Sequence, residues 1–225
     1  MLSILTNFGC HFGCSYCVYR DNGIQIPRTF LKTFGWNQLE EELKQRKGET
    51  ISISGGGDPL YEYSKTYNME FYDKLFELLD KYDCKVELHT SILNSDFPYD
   101  LCERVVFHLN MPTQISMLLE RDRNFCPFPD NVRVVFVVQE HYTKHLIDEI
   151  IKEIDDDVTY EITELSFRQM IDKNGQPCYY LHDYLKAGHG DRWYYIEQAD
   201  YNEYFVQDHI EREYLKIKGD IDYGR

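Results

Sequence analysis

Short apolar runs of strand length alternate with amphipathic helical segments through most of this 225-residue chain. Runs rich in β-branched and aromatic residues predict strands at residues 2–6, 50–54, 85–90, 104–109, 133–138 and 158–165. Apolar residues at helical spacing predict helices at residues 37–47, 68–82, 113–121 and 145–154, with a helical turn at 99–103. Strands that alternate with helices form a parallel sheet with right-handed crossovers. The alternation therefore predicts an α/β fold.

The number of alternating units narrows the architecture. Six units before about residue 166 fit either an open doubly wound sheet or a barrel short of the usual eight units, and both place chemistry at the carboxyl ends of the strands. After Gln169 the alternation stops, and an aromatic-rich stretch predicts a strand at 192–197 and a closing helix at 201–218. We expect one domain, with a core at residues 1–169 and a C-terminal α+β elaboration at 170–225 packed on it.

The charge balance limits the partners of the chain. It has 24 Lys and Arg residues against 39 Asp and Glu residues, a net charge of −15 at pH 7. Such a chain repels phosphates unless basic residues are locally concentrated, which argues against nucleic acid as its partner. No apolar stretch approaches the ~18–20 residues that a membrane helix needs, and the first residues do not resemble a secretory signal. These features predict a cytoplasmic protein.

Three of the seven cysteines, Cys10, Cys14 and Cys17, are clustered in the loop after the first predicted strand. Thiolates are the ligands preferred by iron–sulfur clusters and by zinc. Three cysteines leave one iron of a 4Fe–4S cluster open to a small molecule, whereas a structural zinc would need a fourth ligand such as His11 or a distant histidine. The other four cysteines stand alone and are expected to be small buried side chains: Cys84, Cys102, Cys126 and Cys178.

The spacing Cys10-x3-Cys14-x2-Cys17, with Tyr16 just before the last cysteine, resembles the cluster motif of the radical S-adenosylmethionine (radical SAM) superfamily. Residues 5–7 also resemble the usual approach to that loop. In the superfamily the loop follows the first strand of a partial β/α barrel of about six units. The resemblance therefore implies a partial (β/α)6 barrel that holds a 4Fe–4S cluster through these three cysteines, with Tyr16 near the cofactor.

A second segment, Gly56-Gly57-Asp58-Pro59-Leu60, follows the second predicted strand and resembles the superfamily's Gly-Gly-Glu-Pro segment. That segment holds the amino group of S-adenosylmethionine, so the resemblance implies the same role for Gly56, Gly57 and Asp58. Asp58 keeps the charge of the usual glutamate and is one methylene shorter. The implied reaction is one-electron cleavage of S-adenosylmethionine, after which a 5′-deoxyadenosyl radical abstracts hydrogen from the substrate.

Further candidates lie at the ends of the later predicted strands. Thr90 and Ser91 follow the third strand, Asn110 the fourth and Gln139 the fifth, and Glu161, Glu164 and Arg168 lie on or just past the sixth. The resemblance implies that Asn110 lies near the ribose of the cofactor. Ser91, Gln139 and Arg168 are candidates for the cofactor site because of their positions at the strand ends. Arg168 is suited to a carboxylate of the cofactor or substrate, or to a surface ion pair. His89 and His108 lie inside strands and are expected to be hydrogen-bonded core residues.

The partners and the substrate class follow from the same resemblance. A radical SAM enzyme needs an external one-electron donor of the flavodoxin or ferredoxin type, and a local basic group offers a docking place for an acidic donor. That group comprises Arg20, Arg28, Lys32, Arg46 and Lys47. A small-molecule or nucleoside-like substrate is the first interpretation. The alternatives are a partner protein, as for an activase or peptide modifier, a base in nucleic acid, or a non-enzymatic metal-binding module.

Overall fold

The computed structural model describes residues 1–6, 9–10, 13–17, 32–121, 126–159, 161–172, 174–190, 192–197, 202–213 and 217. The strands are β1 (Leu2–Leu5), β2 (Thr50–Ser54), β3 (Lys85–Thr90), β4 (Arg104–Leu109), β5 (Val132–Val138), β6 (Glu164–Gln169), β7 (Trp193–Ile196), β8 (Glu203–Val206) and β9 (His209–Glu211). The helices are α1 (Trp36–Gln45), α2 (Thr66–Lys81), α3 (Thr113–Leu119), α4 (Lys144–Asp155) and α5 (His182–Lys186), with a 3₁₀ turn at Tyr99–Leu101. Among the described residues, no helix is both long and apolar enough to cross a bilayer.

These strands form one sheet in the order β7-β6-β5-β4-β3-β2-β1-β8-β9. Every pair from β7 to β8 is parallel, and only β9 runs antiparallel to its neighbour β8. The predicted α/β class with a parallel sheet is confirmed. Strands β2, β3 and β4 have the predicted bounds. Both sequence ranges, 1–169 and 170–225, contribute strands to this sheet, and the boundary between them stays a prediction.

The sixth strand was predicted too early, at 158–165, and begins at Glu164. A turn stops the chain from extending sooner, because the Asp157 carboxylate accepts hydrogen bonds from the backbone amide and the hydroxyl of Thr159, at 2.9 and 2.5 Å. Val158 is 84% exposed, so its β-branched side chain contributes nothing to the sheet. The apolar pattern was correct for Leu165 but counted turn residues as part of the strand.

The prediction of a closing helix at 201–218 is wrong for the described residues. This stretch contains β8 and β9, joined through Gln207, whose φ of 55° is in the left-handed region. Strand β8 exists because β1 has a second edge with which it pairs, from Leu2 with Glu203 to Leu5 with Val206. Phe205 is buried there. The neighbouring strand, rather than local helix propensity, decides the structure.

The two faces of the sheet differ because side chains alternate along each strand. One face is apolar and packs with the helices, and its buried side chains include Ile4, Ile53, Leu88, Phe107 and Phe136 of the strands with Leu39, Leu75 and Ile150 of the helices. The opposite face has ionisable side chains at many of the alternate positions of β3 to β6. We call these residues the polar face: Glu87, His89, Arg104, His108, Arg133, Glu164 and Arg168. The sheet thus has an apolar side that stabilises the fold and a polar side available for other work.

Candidate active site at the carboxyl ends of the strands

The cysteine loop follows β1 at the carboxyl end of the sheet. Cys10 is exposed, Cys14 and Cys17 are half-buried, and all three are thiols rather than disulfides. The backbone amide of Cys17 donates to the carbonyl of Cys14 at 3.2 Å, which closes a tight turn between them. The alternative zinc ligand His11 lies outside the described residues. The predicted three-thiol loop is therefore at the strand end where chemistry was expected.

The segment after β2 supports one side of this loop. The backbone amide of Asp58 donates to the carbonyl of Gly9 at 2.8 Å. Gly9 also packs so closely on the Tyr61 ring that an added Cβ would lie 2.3 Å from its Cδ1 atom, so a larger residue at position 9 would force the ring or the loop to shift. The buried Tyr72 hydroxyl donates to the carbonyl of Pro59 at 2.6 Å and hydrogen-bonds with the Thr6 hydroxyl at 2.7 Å. The two motifs are thus joined in space.

The Asp58 side chain is 2% exposed and accepts four hydrogen bonds. Its Oδ1 accepts from the Leu60 amide at 2.9 Å and the Thr90 hydroxyl at 2.7 Å. Its Oδ2 accepts from the Ser91 amide at 2.6 Å and the Ser91 hydroxyl at 3.0 Å. A carboxylate has about four lone-pair sites, and here protein donors take them all. Asp58 therefore ties the end of β2 to the end of β3, and a cofactor ammonium would have to share these sites.

The ends of β4 and β5 support the other side of the loop. Asn110 Oδ1 accepts a hydrogen bond from the Tyr16 hydroxyl at 2.5 Å, and Cys14 Sγ lies 3.7 Å from the same oxygen. The Ser15 hydroxyl donates to Gln139 Oε1 at 2.9 Å. Burial raises the pKa of the Tyr16 phenol well above its usual value, and the neighbouring Cys14 adds to this, so Tyr16 is a neutral donor at pH 7. Two of the predicted residues, Asn110 and Gln139, are therefore brought to the loop, where one of them contacts the third predicted residue, Tyr16.

The remaining sequence candidates are spread over the molecule. Arg168 lies on β6, on the polar face, and is partly exposed. Glu161 pairs with Arg121 at 2.7 Å, and Glu164 pairs with Arg104 at 3.2 Å, so both acids belong to ion pairs of the scaffold. The histidines expected in the core, His89 and His108, are hydrogen-bonded to each other at 3.1 Å on the polar face.

Three of the four lone cysteines lie in the interior of the protein. Cys84, Cys102 and Cys126 are buried, as expected, whereas Cys178 is only partly buried. Burial raises the pKa of the Cys102 thiol to about 12.

In the basic group, Arg46 pairs with Glu203 and Lys47 pairs with Asp83 at 3.1 Å. Lys32 is exposed, and Arg20 and Arg28 lie outside the described residues. The described basic residues thus offer a donor protein less net charge than the sequence suggested.

Sequence reasoning missed the residues that join the two motifs. Thr6, Gly9, Tyr61 and Tyr72 are the clearest cases, because each acts through a partner distant in sequence. A glycine just before the first cysteine was the one local signal. Gln114 was also missed, although its partner is only four residues away: its Oε1 accepts from the Asn110 amide at 2.7 Å and so fixes the end of β4.

Comparison with known proteins shows the fold of the chain. No protein-family profile matches the chain. A segment of 84 residues, 35% of the chain, is 34% identical to a protein of Methanocaldococcus jannaschii named "Putative methylthiotransferase". The solved structure of native anSMEcpe with bound AdoMet covers 83% of the chain with a TM-score of 0.58 at 18% identity. These matches show the fold, and they agree with the resemblance to the radical SAM superfamily.

The extent of these matches is limited. The chain spans 16% of the length of the curated relative and 58% of the chain of native anSMEcpe. A polyhistidine-tagged form of anSMEcpe with bound AdoMet gives the same TM-score and covers 82% of the chain. At this identity the likeness to anSMEcpe is one of fold.

Proposed function

We propose that this chain is a radical enzyme that cleaves S-adenosylmethionine with a 4Fe–4S cluster and abstracts hydrogen from a small-molecule or nucleoside-like substrate. The observation that carries the proposal is the cysteine loop itself. Its three thiols lie at the carboxyl end of a parallel sheet, and the ends of β2, β4 and β5 hold the loop from two sides. A loop braced in this way is suited to presenting a reactive group to the interior of a partial barrel, which is the architecture we propose.

The chemistry of the donors fits such a cluster. Cys10, Cys14 and Cys17 supply three soft ligands, and a cluster held by three thiolates keeps one iron for the cofactor. Among the described residues, no three His, Cys, Asp or Glu side chains are arranged to hold a metal ion. Cluster binding therefore requires the loop to draw its thiols together. The exposure of Cys10 leaves room for that movement.

The chain's own residues bind and orient the cofactor. When bound, the cluster and S-adenosylmethionine supply a 5′-deoxyadenosyl radical after one-electron reduction. We propose that backbone carbonyls of Gly56 and Gly57 receive the ammonium, because four protein donors already bond the Asp58 carboxylate. Asn110 and Gln139 each make one side-chain bond to the loop, and we propose that they exchange it for the ribose or carboxylate of the cofactor. Ser91 and Arg168 are proposed to line the same site.

The proposal includes a reductant and a place in the cell. The electron comes from a donor of the flavodoxin or ferredoxin type, and we propose a cytoplasmic enzyme. A small molecule is favoured over nucleic acid because the net charge of −15 repels a polyanion. Arg168 on the polar face is suited to an anionic group of such a substrate.

Anaerobic reconstitution with iron and sulfide tests the proposal. Reduction of the reconstituted protein with S-adenosylmethionine present is expected to release 5′-deoxyadenosine, and the wild type is expected to bind about four irons per chain. Cys14→Ala is expected to lose both properties. Cys178→Ala is the matched control, since this partly buried cysteine is far from the loop in sequence, and it is expected to keep both. Zinc alone in the wild type, or a full cluster in Cys14→Ala, would overturn the proposal.

A further inference from the structure

Three ionisable side chains on the polar face form a continuous hydrogen-bonded chain. Nε2 of His89 lies 2.9 Å from Glu87 Oε1, and Nδ1 of His89 lies 3.1 Å from Nε2 of His108. The other carboxylate oxygen of Glu87 accepts from Arg104 at 3.0 Å. Burial alone would raise the pKa of Glu87, but the hydrogen bonds and charges of His89 and Arg104 outweigh it and hold that pKa at about 2. Glu87 is therefore an anion at neutral pH.

The order of these bonds fixes where the protons lie. A carboxylate only accepts, so Nε2 of His89 carries a proton and donates it to Glu87. The other nitrogen of a neutral His89, Nδ1, is then an acceptor, and Nε2 of His108 must donate to it. A neutral His108 is left with an unprotonated Nδ1. Each hydrogen bond is thus donated in the direction from His108 to Glu87. Nδ1 of His108, at the start of the chain, is a hydrogen-bond acceptor.

We propose that Glu87, His89 and His108 form a proton relay that takes a proton from an O–H or N–H group of the substrate at Nδ1 of His108. The substrate's bond to hydrogen breaks as the proton binds Nδ1 of His108. The Nε2 proton of His108 then passes to Nδ1 of His89. The positive charge comes to rest on His89 beside the Glu87 carboxylate, and the substrate is left one proton poorer. The side chain of His89 is 25% exposed, which gives the proton a route to solvent.

The relay is positioned for the proposed function, on which its substrate depends. Asn110 directly follows β4, two residues after His108, so strand alternation continued by one residue puts both side chains on the same side. Asn110 contacts the cysteine loop, and His108 lies about 7 Å from Asn110 along the strand at ~3.3 Å per residue. A substrate placed under the loop for hydrogen abstraction would therefore reach His108. The substrate class that fits is a small molecule with an ionisable hydroxyl or amine.

The charges around the relay favour a neutral His108. Burial lowers the pKa of His108 to about 3, and the charges of His89 and Arg168 add to this effect. Other charged or titratable groups on this face are Arg104 of β4, Arg133 of β5, Glu164 of β6 and Tyr194 of β7. Arg104 and Arg133 are paired with Glu164, at 3.2 and 2.5 Å. These surroundings make His108 a relay for protons rather than the place where the charge stays.

Ring-nitrogen NMR of the full-length reconstituted protein, labelled with ¹⁵N-histidine, tests this arrangement. At pH 7.5 we expect both rings to carry their proton on Nε2, with Nδ1 of His108 unprotonated. As the pH falls, His108 is expected to stay neutral to about pH 4, because burial lowers its pKa to about 3. Signals are assigned by their loss in His89→Gln and His108→Gln. A proton on Nδ1 of His108 at pH 7.5, or protonation of His108 near pH 6.5, would overturn the relay.

Glu87→Gln is the informative variant, because an amide both donates and accepts and no longer fixes the direction. Mixed tautomers are expected at His89 and His108 in this variant. The matched control is Glu103→Gln, which removes an exposed carboxylate paired with Lys85 at 3.2 Å and is expected to keep the wild-type pattern. An unchanged pattern in Glu87→Gln would contradict the role of Glu87. If Glu87→Gln does not fold, the wild-type titration still decides.

Release of 5′-deoxyadenosine is measured on the same preparations. A wild-type chain with the expected tautomers that releases none supports the relay and rejects the proposed radical chemistry. A chain that releases it while His108 carries a proton on Nδ1 supports the proposed function and rejects the relay.

Discussion

The cysteine loop has two supports that differ in construction. On one side, Asp58 is buried and makes four side-chain hydrogen bonds, in addition to its backbone bond to Gly9. On the other, Asn110 and Gln139 are partly exposed and each holds the loop through a side-chain oxygen. The difference suggests a division of work. A buried, fully bonded group sets the shape of the site, whereas a partly exposed amide exchanges its partner at little cost when a ligand arrives.

Asp58→Ala is expected to have the largest effect on this comparison. It removes the acceptor for four donors, and a buried unsatisfied donor costs about 1–3 kcal/mol. We expect the free energy of unfolding to fall by at least about 3 kcal/mol, measured by urea denaturation. A loss below ~1 kcal/mol would mean that water replaces the carboxylate and that this support is not a rigid frame.

Asp58→Asn separates framing from direct cofactor binding. If Asp58 only holds the ends of β2 and β3 together, folded Asp58→Asn is expected to keep its affinity for S-adenosylmethionine in calorimetric titration. If its charge meets the ammonium, the affinity falls about ten- to a hundredfold, since each 1.4 kcal/mol is a factor of ten. The second result would restore the role implied by the sequence resemblance.

Gly9→Ala tests the same support through its backbone. An added Cβ would lie 2.3 Å from the Tyr61 ring, and overpacking of this kind costs about 1–3 kcal/mol. Thermal unfolding of the reconstituted protein measures the loss. Adding Tyr61→Ala to the variant is expected to relieve the contact and return part of the stability. Equal stability of Gly9→Ala and the wild type would show that the loop moves aside freely.

The polar face sets the pH range in which these variants can be compared. His108 has a pKa of about 3 when folded and about 6.5 when unfolded, so below pH 6.5 the unfolded chain binds a proton that the folded chain does not. The contribution of His108 to the free energy of unfolding is therefore fully present above pH 6.5. Below that pH it falls by at most about 1.4 kcal/mol per pH unit, down to about pH 3. Below pH 4.5 the unfolded chain also protonates Glu87, whose pKa in the folded protein is about 2, and this adds to the fall.

Urea denaturation of the wild type and His108→Gln between pH 4.5 and 7 measures this slope. The wild type is expected to lose more stability than the variant as the pH drops. Parallel curves would mean that His108 has an ordinary pKa, and the variants of the two supports could then be compared at any of these values.

Asn110→Ala is expected to have the smallest effect on stability, about 1 kcal/mol or less, because its side chain is partly exposed and contacts the loop through one oxygen. The expected loss is instead in cofactor affinity, measured by calorimetry on the reconstituted protein. Gln114→Ala is the comparison variant, since Gln114 holds the backbone amides of Asn110 and Met111 at 2.7 and 2.9 Å. A loss of stability in Asn110→Ala as large as in Asp58→Ala would remove the distinction between the supports.

The sequence was most informative where local pattern alone decides the structure. Strands β2, β3 and β4 were found because β-branched runs have clear ends, and the thiols because their spacing is local. Strand β6 was misplaced because Asp157 and Thr159 form a turn that apolar periodicity does not detect. Strand β8 and the bond between Asp58 and Gly9 depend on partners far away in sequence, which a single sequence does not reveal.

The pairing of β8 with β1 has a consequence for how the protein is made. These two strands are about 200 residues apart in sequence, so their contact is among the slowest to form. At ~5–20 residues per second, a ribosome needs on the order of 10–40 s to synthesise the stretch between them. During that time the backbone donors and acceptors on the outer edge of β1 have not yet paired with β8, and such an edge readily pairs with other strands. Biosynthesis therefore passes through a period in which the strand that leads into the cysteine loop needs protection.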